Sequence, residues 1–294
     1  MLAAVAFALA KQPYALLFQN IAPSCQSYQT RPAVLRMALS DQEQRISQAM
    51  ELQPVEKKFP ESARSTGLAL ALDDGTRKSH SVAENTAFVT GFFRGIATKS
   101  SFAQLVCALY YVYAAMEAAF EASTDPSVQA LDYPELRRID ALEQDMEYYF
   151  GSTWRHNIVP SAATRKYVER VQHVAREEPY LLVAHMYTRY LGDLFGGQMM
   201  GGMARRSLQL EAGKGTAFYQ FDDIPGTKVF IEKWYAELNK LELTDAQKVK
   251  IVDEGNVVFA LNIEVFEELE GNPIKALWTL ASSSLKSALG LNRH

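Results

Sequence analysis

The sequence predicts an all-α fold, a single domain of about eight helices. Apolar residues recur at spacings of three and four, as from Phe102 to Met116 and from Val168 to Val174, which places them on one helix face. Sustained alternation of apolar and polar residues, the pattern of a half-buried strand, is absent. The chain has 294 residues, 48% of them hydrophobic, enough for a large core, and we favour one domain over two. Helix breakers occur at Asp125-Pro126, Tyr133-Pro134, Val159-Pro160, Glu178-Pro179, Ile224-Pro225 and Asn272-Pro273, and Thr244-Asp245 can begin a further helix.

The first forty residues differ in composition from the rest of the chain. An apolar stretch runs from Met1 to Ala10, and no Asp or Glu occurs before Asp41. An apolar start followed by an acid-free stretch with Ser and Arg is typical of a targeting presequence, here for a plastid. Secretion and a disordered extension are the alternatives, and without import the protein would be cytoplasmic.

The remaining chain divides into a linker, a folded body and a tail. Residues 41–66 are polar and contain prolines, which predicts a leading helix and linker. The folded body is predicted over 67–272, and a C-terminal helix or tail over 273–294. Lys275 and Lys286 interrupt the tail, so it lacks the ~20 apolar residues of a membrane anchor.

Charge and cysteine content exclude several functions. The formal net charge is −4, from 30 basic and 34 acidic residues, so no basic face is expected for nucleic acid. Two cysteines supply neither a disulfide framework nor a thiolate metal site. We expect a monomer with no transmembrane anchor.

A cluster of glycines is the most unusual feature of the folded body. Five of the sixteen glycines lie from Gly192 to Gly202, within a segment that otherwise reads as helix, and each costs about 1 kcal/mol relative to alanine. Gly192 and Gly196 fall on one face, and Gly197 and Gly201 repeat the spacing one residue on. Either a flat ligand lies against this bare backbone, or a neighbouring helix packs closely there.

Asp193 favours a function for the glycine-rich helix. It follows Arg189 by four residues, a spacing that on an exposed helix gives a weak surface ion pair. The flanking Leu191 and Leu194 predict burial instead, and a buried ionisable group usually has a function.

His80 is the candidate metal ligand among five histidines. Glu84 lies one helical turn on and can hydrogen-bond to the imidazole, as the partner of a metal-bound histidine does. The alternative is a surface His–Glu pair. If His80 binds iron on one side of a planar macrocycle and the glycine-rich helix covers the other, heme lies between two helices, with room for O2.

These residues resemble the heme oxygenase family. Its distal-helix signature resembles Tyr187 to Leu194 followed by Gly196-Gly197-Gln198, and its proximal helix resembles His80 to Asn85. The resemblance covers residues 68–270. Further matches are Leu109 to Tyr113, Ala141 to Asp145, Leu181 to His185, Phe259 to Asn262 and Phe266 to Leu269.

The resemblance implies a role for each matched residue. His80 is then the axial ligand of the heme iron, Glu84 orients it, and Asp193 holds a water molecule on the distal side. Arg77 matches a residue that pairs with a heme propionate. The polar network behind the distal water is matched by Tyr113, Tyr167, Arg189 and Asn262. Residues at the heme are matched by Tyr187, Thr188, Gly192, Gly196 and Gly197.

The implied reaction uses heme b as both cofactor and substrate. O2 and electrons, from ferredoxin and ultimately NADPH, convert it to biliverdin, carbon monoxide and ferrous iron, with attack at the alpha meso position. The ending near Glu270 resembles cyanobacterial and algal members, which suggests a plastid enzyme that supplies biliverdin to a bilin reductase. The alternatives are a heme-binding or regulatory relative without turnover, and a helical scaffold.

The chain departs from the family pattern at two places. Phe195 stands where the family usually has serine, so its ring either points into the core or narrows the pocket. Asp73 stands where a lysine is often found, and Ile231–Tyr235 lacks a basic pair that contacts the propionates. Lys228 or Lys233 would then substitute.

Overall fold

The computed structural model describes residues 62–93, 98–211 and 213–269. Within these ranges the chain is helical and contains no strand, so the predicted all-α fold is confirmed. The predicted presequence and the tail lie outside the described residues, as does nearly all of the linker. From Ala63 on, the described residues belong to one compact unit.

The described residues form eleven α-helices, more than the eight or so predicted. The difference arises because the sequence pattern did not separate several short helices. They are α1 (Gly67–Glu84), α2 (Ala87–Phe93), α3 (Lys99–Ala122), α4 (Pro126–Leu131), α5 (Ile139–Phe150), α6 (Trp154–Asn157), α7 (Ala162–Glu177), α8 (Leu182–Met186), α9 (Gly192–Ser207), α10 (Thr227–Lys240) and α11 (Asp245–Leu269). Short 3-10 turns occur at Ala63–Ser65, Pro134–Leu136, Pro179–Leu181 and Ala217–Tyr219.

Capping side chains explain where several helices begin. The Thr98 side chain accepts from the Ser101 backbone N–H while Ser101 accepts from Thr98, a capping box at the start of α3. Asp125 caps α4, whose first residue is Pro126, as expected for a proline that needs no backbone N–H. The predicted breaker at this dipeptide is therefore a helix start.

Helix α3 forms the centre of the core. By length and composition it is the one described helix that could cross a membrane, but 56% of its most apolar window is buried inside the fold. It packs against α5 and α7. Its burial marks it as a core helix, since its apolar residues already have partners within the protein.

Helices α1 and α11 pack closely along one another. A Cβ at Gly255 would lie 3.0 Å from Thr76 Cγ2, so a larger residue there would require Thr76 to shift. At the start of α1, Gly67 has φ of +55°, and Asn239 of α10 accepts from the Ala69 backbone N–H at 2.9 Å. Helix α1 is thus held by α10 and α11, the last two helices of the described residues.

The glycine-rich helix continues a helical run that starts at Pro179. Between α8 and α9 the backbone forms a π-helical turn, Tyr187–Leu191. Such turns insert an extra residue into a helix and occur often at functional sites. Because of the extra residue, Arg189 and the residues after it face a different side of the helical run than they would if α8 continued regularly.

Candidate functional site

Asp193 is the centre of a buried polar network. Its side chain is fully buried, and its Oδ2 atom accepts hydrogen bonds from the Tyr113 hydroxyl and from Arg189 Nη2, the latter at 3.0 Å. Its Oδ1 atom is also buried but has no partner among the described residues. The predicted burial of the Asp193–Arg189 pair is therefore confirmed.

Arg189 connects Asp193 to the last described helix. Its Nη1 atom donates to Asn262 Oδ1 at 2.8 Å, and Asn262 Nδ2 donates to the Val258 carbonyl at 2.8 Å. Burial alone would lower the pKa of Arg189, but the charge of Asp193 raises it overall, so the guanidinium stays charged. The amide of Asn262 is thereby fixed with its oxygen toward Arg189.

The Tyr113 hydroxyl belongs to this network, whereas the Tyr167 hydroxyl is buried without a hydrogen-bond partner among the described residues. Burial, followed by the charge of Asp193, raises the pKa of Tyr113 well above its usual value, so its hydroxyl remains a donor. Tyr167 is also fully buried, and its pKa is raised by burial although Arg189 and Asn262 favour its ionised form. The buried Thr188 hydroxyl has no partner among the described residues.

His80 and Glu84 lie together on α1. The His80 Nδ1 atom is 3.8 Å from Glu84 Oε1, and both side chains are 20% exposed. Burial raises the pKa of Glu84. The His80 ring meets Phe259 of α11 edge-on, with ring centroids 5.6 Å apart. The histidine and the carboxylate are therefore neighbours at ion-pair distance, and their separation is longer than that of the hydrogen bond expected from the sequence.

Helix α11 touches both groups of residues. Phe259 contacts His80, and Asn262, three residues later, contacts Arg189. Residues three apart lie on nearly the same face of a helix. His80 and the Asp193 network therefore flank one turn of α11, as expected for two sides of a single site.

Close packing accounts for part of the glycine cluster. A Cβ at Gly197 would lie 3.0 Å from Tyr219 Cδ1, and one at Gly201 would lie 2.9 Å from Tyr219 Cβ. Close packing thus explains the stripe of Gly197 and Gly201, but the packing partner is the Tyr219 side chain of a 3-10 turn and not the neighbouring helix considered from the sequence. Gly192 and Gly196 are buried on another face. Contact of Gly192, Gly196 and Gly197 with heme stays a prediction.

The residues expected to bind the heme propionates already make contacts within the protein. Arg77 pairs with Asp74, and its Nη2 atom is 3.7 Å from Asp73 Oδ2. Asp73 pairs with Arg64 at 2.8 Å. Lys233 lies over the Tyr133 ring, 5.0 Å from its centroid. Propionate contacts by Arg77 and Lys233, and heme contacts by the buried Tyr187 and Thr188, stay predictions.

Phe195, which replaces the usual serine, is partly buried and packs against the hydrophobic core. Its neighbours in α9 are Leu194, which is 1% exposed, and Gly196, which is buried. A large apolar side chain at this position is therefore stabilised by packing within the protein.

Three residues near the site were missed from the sequence. Asp145 accepts from the backbone N–H groups of Ala217 and Phe218, both at 2.9 Å. Tyr219 packs on the glycine stripe. Glu254 accepts from Arg170 and lies 3.0 Å from His185 Nε2. Asp145 lay within a matched segment, but no local signal identified Tyr219 or Glu254, because their partners are distant in the sequence.

The residues fit a bound heme. Asp193 Oδ1 and Arg189 Nε are buried without a hydrogen-bond partner among the described residues, so each suits water or a polar group of a ligand. In the same part of the chain, no three His, Cys, Asp or Glu side chains come together to hold a metal. An iron at His80 would need its other ligands from a bound group, as a porphyrin provides.

The chain is similar to proteins named heme oxygenase. A family model described as heme oxygenase matches residues 66–268. Heme oxygenase 1 of Nostoc sp. is 45% identical over 222 residues, which cover 75% of this chain and 93% of that protein. Heme oxygenase of Pyropia yezoensis is 42% identical over 220 residues, which cover 74% and 92%.

Two solved structures are also similar. Heme oxygenase-1 from the cyanobacterium Synechocystis sp. in complex with heme has a TM-score of 0.68 at 46% identity, covering 75% of this chain and 100% of that chain. Heme oxygenase-2 from Synechocystis sp. in complex with heme and NO has a TM-score of 0.69 at 44% identity, covering 72% and 88%. The family match contains His80, Asp193 and Asn262.

Proposed function

Because this chain belongs to the heme oxygenase family, we propose that the site built around His80 and Asp193 is where it cleaves heme. The protein is an oxidoreductase, and heme is its substrate. The products are biliverdin, carbon monoxide and ferrous iron. The observation that carries the assignment of the site is the buried Asp193 carboxylate, which leaves Oδ1 available to a ligand or water.

His80 is the residue that holds heme b. With Nδ1 next to Glu84, Nε2 is the nitrogen that binds iron. Heme, when bound, supplies the redox-active iron and is itself the molecule that is oxidised by O2. An imidazole ligand pushes less electron density onto iron than a thiolate does. Glu84 keeps the imidazole in one orientation.

Asp193 holds and orients a water molecule. Tyr113 and Arg189 both donate to Oδ2, which fixes the carboxylate and leaves Oδ1 to accept from water. A water held at Oδ1 can deliver a proton while O2 is reduced. Asn262 accepts from Arg189 and so acts through the carboxylate. Tyr167 is buried and feels the charge of Arg189, and we assign it to the same polar network.

The electron donor and location are further parts of this proposal. Ferredoxin, reduced at the expense of NADPH, is the donor, and the biliverdin passes to a bilin reductase in a plastid. Heme oxygenases of Pyropia yezoensis and Guillardia theta, at 42% identity each, support an algal type of enzyme. A fluorescent protein fused behind residues 1–66 should enter plastids of an alga, and diffuse cytoplasmic fluorescence would contradict import.

One set of assays tests the site. Purified protein mixed with hemin should give a Soret band, and ferredoxin, its reductase and NADPH should then give biliverdin, expected as the alpha isomer on chromatography. His80→Ala should abolish the parent's ferric and ferrous spectra, whereas the control His156→Ala, at an exposed histidine, should not. A Soret band without biliverdin would indicate a heme-binding relative. Unchanged spectra in His80→Ala would reject His80 as the ligand.

A further inference from the structure

Arg64 is a partly buried cation that the family resemblance assigns no role, because it precedes the family match at residues 66–268. It lies in the 3-10 turn Ala63–Ser65, shortly before α1. Its Nη2 atom is 2.8 Å from Asp73 Oδ1, and the two side chains are 21% and 15% exposed. A partly buried ion pair is screened less than a surface pair, so the guanidinium is held in one place.

The turn that carries Arg64 is anchored on α10. Glu232 accepts from the Ala63 backbone N–H at 3.1 Å, and Asn239 Nδ2 donates to the Ala63 carbonyl at 2.6 Å. Contacts with two residues of one helix fix the backbone next to Arg64. The side chain of Arg64 therefore reaches Asp73 from a rigid support, as a binding residue requires.

The ion pair lies at one end of the heme site. Asp73 precedes His80 by seven residues, or two helical turns, so both lie on one face of α1, about 10 Å apart along its axis. The buried Tyr187 belongs to the run that leads into α9, and its ring centroid is 6.5 Å from that of Tyr235 on α10. Burial raises the pKa of Tyr187, the charge of Asp73 adds to the rise, and the charge of Arg64 opposes it. Helices α1 and α10 and the run before α9 therefore come together at this ion pair.

The two ends of α1 differ in charge. Arg64 lies at the Asp73 end, whereas residues 81–93, at the other end, contain no Lys or Arg. There, Phe88 of α2 stacks on Phe266 of α11, with ring centroids 5.4 Å apart. Heme carries both of its carboxylates on one edge and apolar groups on the opposite edge. The apolar edge fits the phenylalanine end, which directs the carboxylates toward Arg64.

A carboxylate at this end of the site needs a cation that the protein holds in place. Asp73 by itself would repel it, because two like charges close together are unfavourable. A guanidinium has five N–H donors in a planar fork, so one guanidinium can donate to two carboxylates. We propose that Arg64 binds a heme propionate, with Asp73 as the residue that positions its guanidinium. This inference rests on the proposed function.

Two forms of heme test the contact. Arg64→Leu should weaken the binding of hemin, followed by the Soret band, by about 10-fold or more, because a charge-assisted hydrogen bond is lost. Hemin dimethyl ester has no propionate charge, so the variant should bind it as tightly as the parent does, which also shows that the variant is folded. Lys78→Gln, which removes an exposed cation from α1, should weaken hemin binding by less than about twofold, since exposed charges are screened. Unchanged hemin binding in Arg64→Leu would overturn the proposal.

A double variant separates binding from charge compensation. Arg64→Leu exposes the propionate to the charge of Asp73, and this charge alone would weaken hemin binding. In the variant with both Arg64→Leu and Asp73→Asn the two charges are gone, so the affinity for hemin should remain several-fold below that of the parent if Arg64 binds the propionate. Recovery of the parent's affinity would reject the contact and show that Arg64 only compensates Asp73.

The same titrations distinguish this inference from the heme site itself. Equal weakening of hemin and dimethyl ester binding in Arg64→Leu would reject the propionate contact, while the heme site would stand. If the parent gave no Soret band with either compound, the proposed function and this inference would both fail.

Discussion

The two carboxylate oxygens of Asp193 have different roles. Oδ2 accepts from Tyr113 and Arg189, so the protein fixes the side chain through one oxygen. Oδ1 has no partner in the described chain, so the other oxygen is oriented yet available. A side chain held in this way can bind water in one place at little further loss of entropy.

Asp193→Ala should retain heme and lose turnover. The substitution removes the oxygen that holds water, while His80 still binds the iron, so we expect an unchanged Soret titration and a fall in biliverdin formation of about 10²-fold or more. Asp140→Ala, at an exposed aspartate, is the control. Full turnover in Asp193→Ala would refute the role of its carboxylate.

Glu254 should stabilise the protein in a pH-dependent way. Burial would raise its pKa, but hydrogen bonds from His185 and Arg170 lower the pKa of Glu254 from 4.5 to about 2. Because the folded pKa is the lower one, this stabilisation is present above pH 4.5 and is lost as the pH falls toward 2. Glu254→Gln should lower the free energy of unfolding at pH 7 by about 3 kcal/mol.

Urea unfolding at pH 7 and pH 3 measures this effect. The difference between Glu254→Gln and the parent should shrink at the lower pH, since the parent has then lost much of the same stabilisation. Glu264→Gln, on the same helix with an exposed partner in Lys166, should change little at either pH. A difference that is equal at both pH values would show that Glu254 acts by packing alone.

At the residue scale, local patterns identified the side chains and not their partners. The burial of Asp193 and the pairing of His80 with Glu84 followed from helical spacing and apolar neighbours. The contact of Arg189 with Asn262 spans 73 positions, and only the family resemblance linked the two. Tyr219 lies in a three-residue turn without periodicity, so neither signal applied.

At the scale of elements, two adjacent glycines of α9 have different surroundings. A Cβ at Gly201 would lie 2.9 Å from Tyr219 Cβ, an atom close to the backbone that cannot move easily, whereas a Cβ at Gly202 would meet nothing within 4 Å. Gly201→Ala should therefore lower the free energy of unfolding by about 1–2 kcal/mol. Gly202→Ala should raise it by up to about 1 kcal/mol, because alanine favours helix. Denaturant unfolding measures both, and equal effects would contradict the packing against Tyr219.

The turn Ala217–Tyr219 should respond to pH through Asp145. Burial raises the pKa of Asp145 from 3.8 to about 6, although the backbone N–H groups of Phe218 and Ala217 partly lower it. Because the pKa of Asp145 is higher in the folded than in the unfolded protein, the protonated side chain stabilises the fold fully below pH 3.8. This stabilisation is lost as the pH rises through 6. Relative to Asp145→Asn, the parent should lose about 2–3 kcal/mol between pH 4 and pH 7. Parallel stability curves of the two proteins over this range would contradict the shift.

Element boundaries followed from capping residues and prolines. The predicted start at Thr244-Asp245 is confirmed, since α11 begins at Asp245, and α7 ends at Glu177, next to the predicted breaker. The π-helical turn Tyr187–Leu191 was not predicted. A π-helical turn of five residues is too short to show a distinct spacing of apolar residues in the sequence. The packing around Arg189 determines where this turn forms.

At the scale of the molecule, heme should stabilise the fold. A ligand that binds only the folded chain raises stability with its concentration, by about 2.7 kcal/mol at 100 times its Kd. For a domain of this size we expect a rise in Tm of about 5–10 °C. Differential scanning fluorimetry with hemin measures it, and His80→Ala should show a smaller rise. An equal rise in His80→Ala would indicate binding elsewhere.

The site also joins parts of the chain that are far apart in the sequence. Tyr113 and Asp193 are 80 positions apart, and Ser79 of α1 bonds to Asn256 of α11 across 177 positions. During synthesis, the proximal helix emerges from the ribosome long before α11, which carries the contacts of both His80 and Arg189. A nascent chain therefore cannot complete the site until α11 has been synthesised. Polypeptides that stop before α11 are thus unable to capture heme in a reactive setting.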